Sequence, residues 1–215
     1  MAQIFPKRIN RLPVVAAGVA LLVPALGSAF VWYFLSPKHL EVGYQPRQPV
    51  PFSHKLHAGD MRLDCRYCHG AVEVSAVASV PPTQVCMNCH QLVGRDKESL
   101  QPLYESAATG RPMEWIRIHD LADYSYFDHS VHLLAGVGCS SCHGDIRSME
   151  VVRQVEPLSM AWCLECHRQP EMHLRPREEL TNTTWIPPDD QLIFAQAVIA
   201  DLQIAPPEDC SACHR

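Results

Sequence analysis

The longest uninterrupted hydrophobic segment of the chain lies near the N-terminus, where residues 13–35 contain no charged side chain. In a helix these residues would rise about 35 Å, enough to cross a hydrocarbon core of about 30 Å. The preceding leader, residues 1–12, is basic, and the first acidic residue is Glu41. The pattern predicts one transmembrane helix with the leader in the cytoplasm and the rest of the chain on the periplasmic side. The basic residues of the leader are Lys7, Arg8 and Arg11.

A cleavable signal peptide is the alternative interpretation of this segment, with the small residues Gly27, Ser28 and Ala29 as the cleavage site. We favour the anchor because the apolar run continues past these residues to Trp32 and Tyr33. Amphipathic aromatic side chains of this kind concentrate at the membrane–water interface. The segment therefore predicts attachment to membrane lipid through a single helix.

After the anchor, long hydrophobic runs are rare. Residues 36–51 hold four prolines and predict an extended linker. A second apolar run covers Leu192 to Leu202, and its spacing predicts a helix that Asp189 or Asp190 caps. We expect this helix to turn Leu192, Ala195, Ile199 and Leu202 towards the protein, a haem or a partner.

The ten cysteines all fall in five copies of the motif C-x-x-C-H, which is the attachment signature of c-type haem. On a helical turn the two thiols and the histidine share a face, so two sulfurs can bind one porphyrin while the histidine lies beneath its iron. Zinc would need pairs of C-x-x-C units and no histidine after each, and a thioredoxin-like pair would explain one copy. The copies predict five covalently bound haem c groups, with the histidines as proximal ligands. The motifs are Cys65–Cys68–His69, Cys86–Cys89–His90, Cys139–Cys142–His143, Cys163–Cys166–His167 and Cys210–Cys213–His214.

A second motif, F-x-H-x-x-H, occurs twice and marks an internal duplication. It begins at Phe52 and at Phe127, and the two copies are 75 residues apart. The C-x-x-C-H motifs that follow are offset by 74 and 77 residues. Histidines at positions i and i+3 share a helical face and could bind two different irons. The repeat predicts a first two-haem module at 52–118, a second at 119–170, and an extension at 171–215 with the fifth haem. The histidines are His54 and His57 in the first copy, and His129 and His132 in the second.

The size and charge of the chain limit the fold class. About 36 residues per haem remain after the anchor is removed from the 215, too few for a large side-chain core. We therefore expect short helices and irregular segments around haem, mainly α with little β-structure. The net charge of −5 argues against a nucleic-acid partner, which would need a basic face.

The paired modules resemble the class III cytochromes c, and this resemblance implies a set of distal ligands. Carried over by position, His54 would face the iron of His69, His57 that of His90, His129 that of His143 and His132 that of His167. The second histidine of each pair could instead serve a haem of the other module. For the fifth iron His119 is the first choice, since it precedes the second module. The rivals are His173, Met149 and Met160.

The whole pattern also resembles the pentahaem cytochrome c subunits of bacterial alternative complex III, a quinol:electron-acceptor oxidoreductase. The segments Trp162–Arg168 and Pro187–Gln191 add to the likeness. The resemblance implies a non-enzymatic electron-transfer subunit of the inner membrane, in a respiratory or photosynthetic chain. Its implied partners are an iron–sulfur subunit, polytopic quinol-binding subunits, and a monohaem cytochrome c or similar acceptor.

Two other functions stay open from the sequence. A self-sufficient quinol dehydrogenase of the NapC/NrfH type also has one helix and several haems, but lacks the duplicated F-x-H-x-x-H units. A multihaem reductase needs an open iron position, whereas all five motifs here are intact and histidines outnumber the irons to be bound.

Overall fold

The computed structural model describes residues 6–214, so the first five residues of the predicted basic leader and Arg215 lie outside the described part. The chain forms two compact units, the first ending at Glu41 and the second beginning at Val42. Each unit is described by itself below.

The N-terminal unit consists of a 3-10 turn, Lys7–Arg11, helix α1, Leu12–Phe34, and the short helix α2, Pro37–Leu40. Helix α1 confirms the predicted apolar helix within one residue at each end, and Pro24 lies inside it. By length and composition α1 could cross a membrane. Its large apolar side chains are exposed in this unit, which is the distribution that a lipid-facing helix requires.

The second unit is built from short helices joined by irregular segments. A π-helix, Lys55–Asp60, carries the first F-x-H-x-x-H copy. The α-helices are α3, Cys65–Cys68; α4, Thr83–His90; α5, Gln101–Thr109; α6, His129–Leu134; α7, Ser140–His143; α8, Met160–Arg168; α9, Gln191–Leu202; and α10, Cys210–Cys213. The 3-10 turns are Glu98–Leu100, Ile146–Ser148, Pro170–Met172 and Arg177–Glu179.

Side-chain caps explain why several cysteine helices begin where they do. Asp64 accepts a hydrogen bond from the backbone of Arg66 at the start of α3, and Asp209 accepts one from Ala212 at the start of α10. Ser159 caps α8 in the same way. A cap of this kind satisfies a backbone N–H that has no helical partner. In α3 and α10 the aspartate directly before the motif thus fixes the turn that aligns its two thiols, whereas Ser159 caps α8 four residues before Cys163.

The fold class is confirmed as mainly helical. Within residues 6–214, β-structure is limited to two isolated bridges, Ser125 with His214 and Val137 with Leu174. The apolar core of the polypeptide is small, which agrees with the expectation that haem forms most of it. Its buried members are Val50, Ala58, Leu103, Leu133, Met149, Leu174, Leu180 and Ala195.

Helix α9 forms as predicted, and a polar contact decides which side of it packs against the protein. Asp190 occupies the N-cap position without a side-chain capping bond. Leu192 and Leu202 are exposed, whereas Gln191 and Ala195 are buried. The reason is polar: the Gln191 amide donates to the carbonyls of Glu171 and Leu174, at 2.6 and 2.7 Å. These bonds set the rotation of the helix against the 3-10 turn Pro170–Met172.

The two predicted modules make specific contacts with each other within the second unit. The backbone N–H of Lys55, in the first module, donates to the carbonyl of Met149 at 2.9 Å. A Cβ on Gly59 would lie 2.5 Å from the carbonyl oxygen of Arg147, so the π-helix meets the second module at van der Waals distance. In the other direction, the second module reaches the loop of the first at Ala76. Each histidine segment is therefore held partly by the other module.

Candidate haem-binding sites

The two F-x-H-x-x-H segments place their aromatic rings in the same way. In the first, the Phe52 ring centre lies 4.8 Å from that of His54, edge to face, and 4.4 Å from that of His57. In the second, the corresponding distances from Phe127 to His129 and His132 are also 4.8 and 4.4 Å. Each phenylalanine thus packs against both imidazoles and limits their rotation. This contact gives the motif's phenylalanine a physical role.

Three pairs of histidines have nearly equal ring separations. The ring centres are 6.2 Å apart for His57 and His90, 6.1 Å for His132 and His167, and 6.3 Å for His129 and His143. Two imidazoles bound on opposite sides of one metal have ring centres about 6 Å apart, given metal–nitrogen bonds of about 2 Å. Each pair joins a C-x-x-C-H histidine to a histidine outside the motifs. The donor set and its spacing fit a haem iron.

Seven of the histidines that the sequence predicts as ligands form the same kind of hydrogen bond through one ring nitrogen. In each, Nδ1 contacts a backbone carbonyl oxygen, and because a carbonyl only accepts, Nδ1 must carry the proton. The lone pair then resides on Nε2, which is the state a metal ligand needs. The contacts are His57 with Ser53, His69 with Ser79, His90 with Val93, His129 with Ala76, His132 with Asp128, His167 with Pro207, and His214 with Tyr124, at 2.7–3.2 Å.

Burial keeps several of these imidazoles neutral. It lowers the pKa of His143 to about 3 and that of His54 to about 4, with neighbouring histidines adding to both shifts. Burial also lowers the pKa of His132 and of His119. A neutral imidazole retains the lone pair for a metal, so the electrostatics agree with the hydrogen bonds.

His54 and His69 meet at the first motif. The charge of His69 is the second cause of the lowered pKa of His54, after burial. Nδ1 of His54 is buried without a hydrogen-bond partner among the described residues. Burying a polar atom without a hydrogen-bond partner is costly in free energy. Bound haem, or the groups around it, would have to supply the partner of this nitrogen.

The first and third motifs meet at residues 180–181. The Thr181 hydroxyl donates to Asp64 at 3.2 Å, and the N–H of Cys139 donates to the carbonyl of Leu180 at 3.0 Å. The Cys65 and Cys139 side chains interact there, which lowers the pKa of Cys65 and raises that of Cys139. The first motif therefore meets the third directly. The second motif meets the first as well: the Asn88 amide donates to the Tyr67 hydroxyl at 3.0 Å.

The fourth motif connects the third to the fifth. Helix α6 faces both the third and the fourth motif, since its His129 and His132 have ring centres 6.3 and 6.1 Å from those of His143 and His167. Burial and then the charges of Cys166 and Cys163 raise the pKa of Cys142 to about 12. Arg168 forms an ion pair at 2.8 Å with Glu208, which lies two residues before the first cysteine of the fifth motif. The contacts join the motifs in the order second, first, third, fourth, fifth.

Other predicted ligands lie in varied surroundings. The ring centre of His119 is 4.3 Å from that of His143, at the third motif, and its Nε2 is buried without a partner among the described residues. Met149 is buried beside the π-helix, Met160 is exposed at the start of α8, and His173 is half-buried.

His214 is held by Tyr124 and by the bridge to Ser125. The fifth motif thus contacts the segment after His119.

Sequence reasoning missed two arginines next to the cysteines. Arg175 is buried against the glycine before Cys139, and the charge of Arg147 contributes to lowering the pKa of Cys65. Arg175 lies 36 residues after Cys139, so no local motif relates them. The bridge between Val137 and Leu174 brings the two segments together.

Comparison with known proteins finds similarity to cytochromes c in two parts of the chain. Residues 35–114 match the class III cytochrome C family, and residues 125–215 match the family of cytochrome c7 and related cytochrome c. The multihaem cytochrome c subunit of a menaquinone reductase from Nitratidesulfovibrio vulgaris is 34% identical over 100 residues, or 46% of this chain and 47% of that protein. The match thus spans about half the length of the curated relative. These matches indicate covalently bound haem c, and both halves of the chain are similar to multihaem cytochromes c.

Proposed function

We propose that this protein is a membrane-anchored pentahaem cytochrome that relays electrons. The observation that carries the proposal is the series of contacts that relates the second motif to the first, the first to the third, the third to the fourth and the fourth to the fifth. Bound haem would supply a one-electron iron couple at each motif. The polypeptide holds the motifs side by side.

The residues divide into two roles. The ten cysteines would bind haem, and the five motif histidines would be the proximal ligands. For the distal ligands, the ring separations and hydrogen bonds support His57, His129 and His132. For His54 the support is its burial beside His69 and its lowered pKa. For the fifth iron, the choice of His119 rests on elimination among the histidines. The ring contact of His119 in the structure is with His143, the histidine of the third motif.

We further propose that the relay belongs to a quinone-linked membrane complex of the alternative complex III type. The sequence resemblance supports this, as does the similarity to a subunit whose name links it to menaquinone. In such a complex an iron–sulfur subunit would deliver electrons, polytopic subunits would bind the quinol, and a cytochrome c would accept. The basic leader supports a cytoplasmic N-terminus and a periplasmic haem domain.

The relative favours a second candidate with the opposite direction of electron flow. That protein is a subunit of a menaquinone reductase, so a complex of that kind would pass electrons through the relay towards quinone. Both candidates assign this chain the same role and differ in what lies at its two ends.

Purification of the native protein from membranes tests the assignment. We expect an iron–sulfur protein and polytopic subunits to co-purify, and we expect the denatured chain to retain five haem increments by intact mass. Quinol-dependent reduction of a cytochrome c by the complex supports the first candidate, and quinone reduction by a low-potential donor supports the second. Quinol oxidation by the isolated subunit would instead indicate a NapC/NrfH-type dehydrogenase, and a high-spin haem with reductase activity would indicate a multihaem reductase.

A further inference from the structure

Two arginines flank the place where the first and third motifs meet. Cys65 and Cys139 contact each other there. Arg175 is buried, with 6% of its surface exposed, and Nε of the half-buried Arg147 is buried without a partner among the described residues. The two positive charges act on the two sulfurs from separate segments: Arg147 on Cys65 and Arg175 on Cys139.

The hydrogen bonds of Arg175 are all to neutral groups. Nη1 donates to the carbonyl of Asn182 at 2.9 Å and more weakly to that of Glu179 at 3.5 Å. Nη2 donates to the hydroxyl of Ser140 at 3.3 Å. The guanidinium lies 4.7 Å from the ring centre of Trp185, and Nε has no partner in the described part of the chain.

No carboxylate within the described residues forms an ion pair with Arg175. The side chain of Glu179, on the neighbouring turn, instead accepts a hydrogen bond from Asn182 at 2.7 Å. Asp64, beside Cys65, is paired with Arg66 at 2.8 Å and also binds Thr181. The charge of Glu179 acts on Arg175 without forming an ion pair with it. Arg175 therefore places a largely uncompensated positive charge next to the third motif.

The approach of Arg175 to the motif is close. A Cβ on Gly138 would lie 2.1 Å from Cζ of the guanidinium, so the residue before Cys139 has to be glycine for the arginine to fit. This contact holds the positive charge of Arg175 beside Gly138, one residue before the cysteine that would form the thioether bond.

We propose that Arg175, assisted by Arg147, is a redox-tuning residue that raises the reduction potential of the haems at the first and third motifs. The inference rests on the proposed haem binding. Reduction adds a negative charge to a haem, and a fixed positive charge nearby stabilises the reduced form. The two charges lie at the first and third motifs in the middle of the series, so they favour the reduced state of the haems bound there.

The test compares three variants of the full-length membrane protein by spectroelectrochemical titration and intact mass. Arg175→Gln removes the charge, Arg175→Lys keeps it, and Arg153→Gln is the control because Arg153 is an exposed arginine outside the motifs. The titration is run at about pH 6, where a lysine ammonium remains charged. We expect Arg175→Gln to lower the midpoint potential of at least one haem, Arg175→Lys to stay close to the wild type, and Arg153→Gln to leave the titration unchanged.

The outcomes separate this inference from the proposed function. Five haems with an unchanged titration in Arg175→Gln, or equal shifts in the Gln and Lys variants, would overturn the tuning role. A wild-type chain without haem would instead overturn the proposed function. If Arg175→Gln loses haem, Arg147→Gln provides the measurement: a lowered potential supports the inference and an unchanged one contradicts it.

Discussion

At the scale of single residues, one backbone carbonyl sets the protonation of Nδ1 in seven of the histidines. The carbonyl of Asp128, for example, holds Nδ1 of His132 at 2.7 Å and directs Nε2 towards His167. The Phe127 ring restrains the same imidazole from one side. These contacts prepare the ligand before the iron is bound, which reduces the ordering that coordination requires.

Replacement of a distal histidine should change one haem. We expect His132→Met to raise the midpoint potential of one component of the redox titration, because a methionine ligand raises the potential relative to bis-histidine coordination. His39→Met, in the N-terminal unit, is the control and should leave all components unchanged. An unaltered titration in His132→Met would remove His132 from the ligand set.

Asp64 is expected to contribute a pH-dependent part of the stability. The hydrogen bonds from Arg66 lower its pKa from 3.8 to about 2 in the folded protein. The stabilisation is therefore complete above about pH 4 and is lost as the pH falls towards 2, because the unfolded chain binds the proton first. In Asp64→Asn the unfolding midpoint should vary less with pH across this interval. A parallel pH profile in the two proteins would contradict the assignment.

At the scale of elements, short helices are defined by their caps and by polar contacts rather than by long apolar faces. Helix α9 illustrates this, since Gln191 rather than Leu192 faces inward. The periodicity of its leucines predicted the helix but not its rotation. A run that is apolar on every side has no preferred face, so the two carbonyls that bind Gln191 decide the orientation.

Removal of the Gln191 amide should therefore destabilise the C-terminal extension. We expect Gln191→Leu to lower the free energy of unfolding by about 1–3 kcal/mol, because the carbonyls of Glu171 and Leu174 lose their donor in a buried place. Gln196→Leu, on the exposed side of the same helix, should have little effect. Urea unfolding followed by circular dichroism measures both, and equal losses would mean that the amide bonds do not orient α9.

At the scale of the whole molecule, the chain separates into an apolar N-terminal unit and a compact unit of linked motifs. The long-range contacts that link the motifs all lie in the second unit, from Ala76 with His129 to Arg168 with Glu208. Haem binding should therefore not depend on α1, which is long and apolar enough to cross a membrane.

Replacement of residues 1–35 by a cleavable signal peptide tests this division. We expect a soluble periplasmic protein that keeps the same number of haems as the full-length chain, whereas the full-length chain stays in the membrane fraction after high-salt washing. Intact mass and fractionation measure the two properties. A truncated protein that still sediments with membranes would show a second attachment site.

The sequence by itself determined the features that depend on neighbours along the chain. The C-x-x-C-H motifs, the apolar helix and the two F-x-H-x-x-H segments are local patterns, because thiols and imidazoles three or four residues apart share a helical face. The tertiary structure decided which motifs meet. Cys65 and Cys139 are 74 residues apart, and their contact, the place of His119 beside His143 and the burial of Arg175 depend on how the segments pack. Packing of this kind leaves no periodic trace in the sequence, since each contact joins single residues from distant loops.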